Sequence, residues 1–383
     1  MAQLVEVPIT PSVLSWAIEQ SGYSREYLAS RLGISEVQLR DWEKGESFPR
    51  LSAFRELIGL LHRQAAVFFL DAPPVHDGST LVHLRRPPGI DRAELNPTER
   101  RFIREVRRYQ RTLAWILEQL GVPKVELPPV RITEKPQQVA KDLRARIDID
   151  AVTQASWASP AVAFRTWRSA VEGIGMFVFV FPLGQDSVRG FSIWDDRAPA
   201  VVVNSAWNMA ARIFTLFHEV AHLLTRTDSA CLGYSTRGGR SKDLKLERWC
   251  EQFAASLLIP NEEMQTYLSK QLRWVSGKQC DLDAAGKVAR HFKVSLRASV
   301  IALASAGAAE RSLMASIPDS TEEKGRGGGS RPRDREEISE GRLGERVWKT
   351  FHRAIREDLI SRADAMTYLD VLDRDSSPSS VEG

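Results

Sequence analysis

The run Phe214-Thr215-Leu216-Phe217-His218-Glu219-Val220-Ala221-His222-Leu223-Leu224 decides how this 383-residue chain is read. Two histidines four residues apart share one face of a helix, about one turn apart. Both imidazoles can then reach one Zn²⁺ at roughly 2.0–2.1 Å. Glu219 adjoins the first ligand and cannot be a third one on that face. It can hold a water beside the metal and take its proton. Ile213, Phe214, Leu216, Phe217, Val220 and Leu223 make the helix apolar almost all round. A helix of that kind is buried, so a polar His-Glu-His set is costly there without a task. The alternative is two satisfied core histidines and a glutamate paired with an arginine.

A catalytic zinc needs a third protein ligand and one open position. Glu247-Arg248-Trp249-Cys250-Glu251 offers two carboxylates at i and i+4 on one helix face. Glu247 follows His222 by 25 residues (247 − 222), room for a loop and a returning helix. In this reading Glu247 is the ligand. Glu251 accepts from the free nitrogen of a ligand histidine and fixes its tautomer. The alternative for this helix is an exposed acidic face. Cys250 is set aside as a core residue, because a helical step of about 300° from Glu247 turns it elsewhere.

Upstream, residues 176–181, 190–194 and 200–203 are short β-branched and aromatic runs separated by Gly, Asp and Pro. They predict a small, mostly antiparallel sheet. Helical patterns fill 135–172, 207–225, 244–258 and 284–305, and Pro260 ends the third of these.

Together these segments resemble the ImmA/IrrE family of metallopeptidases. The resemblance is carried by Phe214 to Leu224, by Glu247-Arg248-Trp249-Cys250-Glu251-Gln252-Phe253-Ala254-Ala255-Ser256-Leu257-Leu258-Ile259-Pro260, by Gly190-Phe191-Ser192-Ile193-Trp194 and by Val201-Val202-Val203-Asn204. It covers roughly residues 165–305. It implies a zincin-like fold with His218, His222 and Glu247 as zinc ligands and Glu219 as the base. Glu251 departs from the Asn or Asp common in such proteins. Tyr234 and the arginines of the 226–248 loop are candidate oxyanion stabilisers.

The first 70 residues read as short helices. Ser24 to Gly33 is an amphipathic helix stopped by glycine, and Ser35 caps a second helix that Gly45 ends. Leu28-Ala29, Gly33, Ile34-Ser35, Trp42-Glu43-Lys44-Gly45 and Pro49 resemble a helix-turn-helix of the phage repressor/Cro (XRE) type. That geometry implies that the helix from Ser35 lies in the major groove, presenting Glu36, Val37, Gln38, Arg40 and Lys44 to DNA. Gln38 suits adenine, and Arg40 suits guanine or phosphate.

Charge argues against tight binding by this head alone. Residues 1–70 hold seven Lys/Arg and eight Asp/Glu (7 − 8 = −1). DNA affinity rests on neutralising phosphates. The head would need a homodimer, or the arginines of a long helix from Thr98 to Leu120 (Arg100, Arg101, Arg104, Arg107, Arg108, Arg111). Otherwise that run is a solvated face, and the head a protein-docking module.

The expected organisation is α+β: an all-α head (1–70), a Pro-rich linker and arginine-rich helix (71–134), the zincin-like domain (135–305), a Gly-rich charged linker (306–340) and a helical C-terminal segment (341–383). Three cysteines without a CxxC pair argue for a reducing compartment. With no apolar run near about 18 residues and no signal-peptide pattern, the expectation is a cytoplasmic protein that spans no membrane. The net charge of +4 permits nucleic-acid contact without requiring it.

Two functions fit these residues. One is a zinc-dependent, site-specific endopeptidase in transcriptional control, whose family resemblance implies a helix-turn-helix repressor as protein substrate and which carries its own DNA-binding head. The other is a DNA-binding regulator or antitoxin-like protein whose zincin domain serves as sensor or assembly platform.

Overall fold

The structure, a computed structural model, describes residues 6–74, 95–226, 240–275, 277–318 and 334–369, and residues 83–85 through the backbone; of residues 240–243 too only the backbone is described. The chain divides into two compact units. The first comprises residues 1–80 and 91–105, the second residues 81–90 and 106–383.

The first unit is all-α. Its helices are α1 (Pro11–Ser21), α2 (Arg25–Leu32), α3 (Glu36–Lys44) and α4 (Leu51–Leu61). Ser24 and Ser35 cap α2 and α3 by accepting from the N–H groups of Tyr27 and Gln38. Gly33 and Gly45 end them in the left-handed region, at φ 65° and 77°, which a Cβ would disfavour. Leu14, Ile18, Leu28, Leu39, Trp42 and Phe54 form the shared core. Arg25 fixes α2 against α3 through a two-bond pair with Glu43, both at 2.8 Å.

The unit boundary falls inside a long helix, α5 (Pro97–Gln119). In the second unit four strands form one mixed sheet in the order β1-β3-β4-β2. They are β1 (His83–Arg85), β2 (Phe177–Phe181), β3 (Gly190–Ile193) and β4 (Ala200–Asn204). β3 is antiparallel to both β1 and β4, whereas β2 and β4 are parallel. The parallel pair arises because β3, consecutive to both, lies on the far side of β4. β1 lies in the stretch read as a Pro-rich linker and is its one short strand among the described residues. Its three residues become a strand by pairing with β3, not by their own composition.

β2 reads Phe-Val-Phe-Val-Phe and is buried throughout. Alternation sends its two residue types to opposite faces. Val178 and Val180 join the main core with Val201 and Val203 and with α9 (Met209–Thr225). On the other face Phe179 meets Tyr109 of α5 at 5.6 Å between ring centres, and Arg346 lies over Phe177 at 5.0 Å. A strand covered on both faces has no need of polar positions.

Residues 135–172 form α6 (Pro136–Arg146), α7 (Ala151–Ser156) and α8 (Pro160–Gly173). Beyond α9 come α10 (Arg240–Leu258), α11 (Asn261–Leu272), α12 (Leu282–Phe292) and α13 (Leu296–Ser305). The single helix expected over 284–305 is two. Lys293 takes φ 56° between them, and Ser295 caps the second.

The last helices are α14 (Arg335–Leu343), α15 (Glu345–Arg356) and α16 (Arg362–Tyr368). They belong to the second unit and cover the Phe face of the sheet. Arg168 of α8 staples them down. Its guanidinium donates to Val178 O, Gly341 O (2.8 Å) and Arg342 O (3.3 Å) and pairs with Glu172 at 3.2 Å. Glu172 accepts in turn from the Arg346 N–H at 3.2 Å. Gly344, at φ 93°, closes over this pair where a Cβ would overlap both side chains. The linker expected over 306–340 is structured at both ends, with a short 3-10 helix at Arg311–Ser316 and α14 beginning at Arg335; residues 319–333 between them lie outside the described residues.

Candidate metal centre and nucleic-acid interface

Asn208 starts α9 by accepting from the Ala211 N–H at 2.9 Å. From there every residue from Ala211 to Thr225 is buried. α9 lies on β3 and β4 and packs against α8 and α10. Trp167 of α8 meets Phe217 edge-on at 5.0 Å. This packing fixes the rotation of α9 and aims both histidines, His218 and His222, at α10.

Three donors converge there. His218 Nε2 and His222 Nε2 are 3.2 Å apart. Glu247 brings one carboxylate oxygen to 3.2 Å from His218 Nε2 and the other to 3.3 Å from His222 Nε2. Donors bound tetrahedrally at 2.0–2.1 Å stand about 3.3 Å from one another, so these spacings match one face of a tetrahedron. Two imidazoles and a carboxylate are a donor set that zinc accepts. Among the described residues this is the one group of three or more His, Cys, Asp or Glu placed to hold a metal ion.

The electrostatics favour a cation at the centre. Burial opposes charge on His222, yet its contacts with Cys250 and Glu247 outweigh burial and raise it well above its ordinary value. Against desolvation, the bonds from His218 and His222 hold the Glu247 carboxylate well below the usual range. Glu247 keeps 43% of its side chain exposed, whereas both histidines are buried. Solvent therefore reaches the cluster from the Glu247 side.

Glu219 is fully buried between His218 and His222 in sequence. Ser192 of β3 donates its hydroxyl to Glu219 Oε2 at 3.1 Å. Sequence reasoning missed Ser192, which was legible only as one residue of an apolar strand. Two residues earlier, Gly190 lets α9 lie close to the sheet. A Cβ at Gly190 would stand 2.6 Å from both Val202 O and Thr215 Cγ2. Gly190→Ala is therefore expected to destabilise the protein by about 1–3 kcal/mol, the usual cost of overpacking. Urea unfolding measures this, and an unchanged midpoint would mean that the β3–α9 spacing has slack.

On α10 the tautomer-fixing role expected of Glu251 is corrected, whereas Cys250 is the buried core residue expected and only its facing differs. Glu251 does not reach His218 or His222. It pairs with Arg311 at 2.9 Å and lies 3.7 Å from Arg297. One helical turn, about 5.4 Å along the axis, carries it past the cluster towards α13. The residue facing the second nitrogen of His222 is Cys250, whose Sγ lies 3.7 Å from Nδ1. A step of about 300° falls only about 60° short of a full turn, so Cys250 shares the side of α10 that Glu247 uses. Burial raises its thiol above the ordinary value despite His222. Tyr234 lies outside the described residues.

In the first unit α3 presents Val37, Gln38, Arg40 and Lys44 to solvent, with Glu36 half-buried. Leu39 and Trp42 anchor its opposite side. Val37 is 65% exposed, and its side chain suits a thymine methyl. Arg40 pairs with Glu36 at 3.2 Å. Exposed i,i+4 pairs contribute only about 0.3–0.5 kcal/mol, so a base or phosphate can displace Glu36.

Comparison with known families agrees with both halves. Residues 171–303 match the family Peptidase_M78, described as the IrrE N-terminal-like domain. Residues 14–65 match HTH_3, a helix-turn-helix. No curated protein matches the chain. Among the described residues no helix is long and apolar enough to cross a membrane.

Proposed function

We propose that this chain, a helix-turn-helix domain followed by an IrrE N-terminal-like peptidase domain, is a zinc-dependent site-specific endopeptidase that cleaves a helix-turn-helix transcriptional repressor. The observation that carries the reading is the three-donor cluster set beside a buried, oriented glutamate. His218, His222 and Glu247 would hold zinc. Zinc, when bound, would supply Lewis acidity to a scissile carbonyl and lower the pKa of water.

The chain's own residues account for the proton traffic. Glu219 accepts a proton from the attacking water and passes it to the leaving amine. Ser192 holds one oxygen of Glu219 and leaves the carboxylate in a single orientation. The apolar packing around α9 keeps bulk water off the base, where a charge interaction is stronger than in solvent. The head gives the peptidase an address: α3 would bring it to DNA where its repressor sits, and cleavage there would relieve repression.

The test uses the full chain with candidate repressors from the same genetic neighbourhood. Zinc-loaded protein is expected to cut one of them at a single site, to lose that activity on chelation and to regain it with added Zn²⁺. A chain that takes up no zinc at micromolar supply would sink the reading.

A further inference from the structure

Four arginines gather at one corner of the first unit. Arg63 follows α4, and Arg100, Arg101 and Arg104 lie on the opening turns of α5. Arg104 Nη1 donates to Gln20 O near the end of α1 at 2.8 Å. The Arg100 side chain runs against Gly22, where a Cβ would stand 2.7 Å from its Cδ. Its Nε donates to Leu95 O at 3.2 Å. Arg63 lies over the Trp16 ring at 4.4 Å. Two of its guanidinium nitrogens are buried with no acceptor among the described residues.

No carboxylate balances this group: among the described residues none of the four arginines forms an ion pair. Burial, and then the charges of Arg63, Arg100 and Arg101, lower Arg104 to about 10. Like charges brought together at a partly buried corner destabilise the fold unless an anion joins them.

We propose that this corner binds a phosphate group, with Arg63, Arg100 and Arg101 as its donors and Arg104 locking α5 to the end of α1. Guanidinium forks match phosphate oxygens in geometry and charge. The corner adjoins Ser24, the cap of α2. In a helix-turn-helix the first of the two helices crosses the DNA backbone. A backbone phosphate is thus the favoured source, and a free phosphoanion is the other. The three α5 arginines lie outside both family matches. The site is therefore an addition to the helix-turn-helix, and it answers the head's acidic balance.

The experiment titrates the full chain with a mixed-sequence DNA duplex across a salt series. The Arg100→Gln/Arg101→Gln double variant is expected to bind several-fold more weakly on every sequence. Its plot of log affinity against log salt should be shallower by about 0.9 for each phosphate no longer neutralised. The Arg→Lys pair at the same positions should keep most of the slope. Gln38→Ala should instead alter discrimination between sequences with the slope intact, so failure of the α3 reading and of this one are distinguishable. A second arm compares thermal midpoints in inorganic phosphate and in chloride at matched ionic strength. A phosphate-specific rise in wild type that the double variant lacks identifies a free phosphoanion. If the double variant does not fold, Arg101→Gln alone reads the neutralisation of one phosphate. An unchanged slope together with no phosphate-specific rise overturns the site.

Discussion

Glu219→Gln should reduce peptide cleavage by at least about 10²–10⁴-fold, the usual contribution of a positioned acid–base group, while leaving bound zinc at the wild-type level. The two readouts part because Glu219 stands beside the donors rather than among them. His218, His222 and Glu247 close their triangle at 3.2–3.3 Å without it. Gln keeps the shape of Glu and an oxygen that can accept from the Ser192 hydroxyl, now 3.1 Å from Glu219 Oε2. The variant thus removes a basic group from a buried position and disturbs little else. Metal analysis of the purified variant and single-turnover cleavage check both halves. Persistent cleavage would remove Glu219 from the mechanism, and loss of zinc would make it structural.

Arg168→Ala should be the most damaging substitution far from the metal cluster, at about 3–5 kcal/mol, the range for breaking one partner out of a buried ion pair. Arg168 and Glu172 are both buried. Burial pulls the guanidinium below its ordinary value and pushes the carboxyl above its own, and each partner opposes the other's shift. Without Arg168 the carboxylate is stranded and Val178 O, Gly341 O and Arg342 O are deprived of a donor. Release of α14 and α15 should follow, visible as new protease sensitivity near residue 341. Replacing both partners with apolar or neutral residues, Arg168→Met with Glu172→Gln, should recover part of the loss. A loss no larger than that of an exposed arginine would show that the C-terminal helices are held by their apolar packing alone.

The metal cluster was readable in the sequence because its signal is local. Spacing on α9 puts both histidines on one face, and α10 offers a carboxylate at a plausible distance along the chain. The neighbours of the cluster were not readable, for two different reasons. Ser192 comes from a strand whose register against α9 depends on packing, notably at Gly190. Cys250 and Glu251 depend on how far along its axis α10 meets α9 and on its rotation about that axis, since neighbours in a helix differ by about 100°. The head was legible through its caps and glycines. The missed strand β1 had no pattern of its own, since three residues carry no period. The last helices showed their amphipathic pattern in the sequence, but only the alternating faces of β2 reveal what they cover.

Because residues 81–90 belong with the peptidase unit and 91–105 with the head, the chain crosses between the two units three times. No single cut separates them. Severing after residue 80 deprives the head of the opening turns of α5. Severing after residue 105 takes β1 from the sheet and leaves the edge of β3 bare, the kind of edge that invites foreign strands. The two units are spliced into each other, so exchange of either for another module would have to carry both interleaved segments.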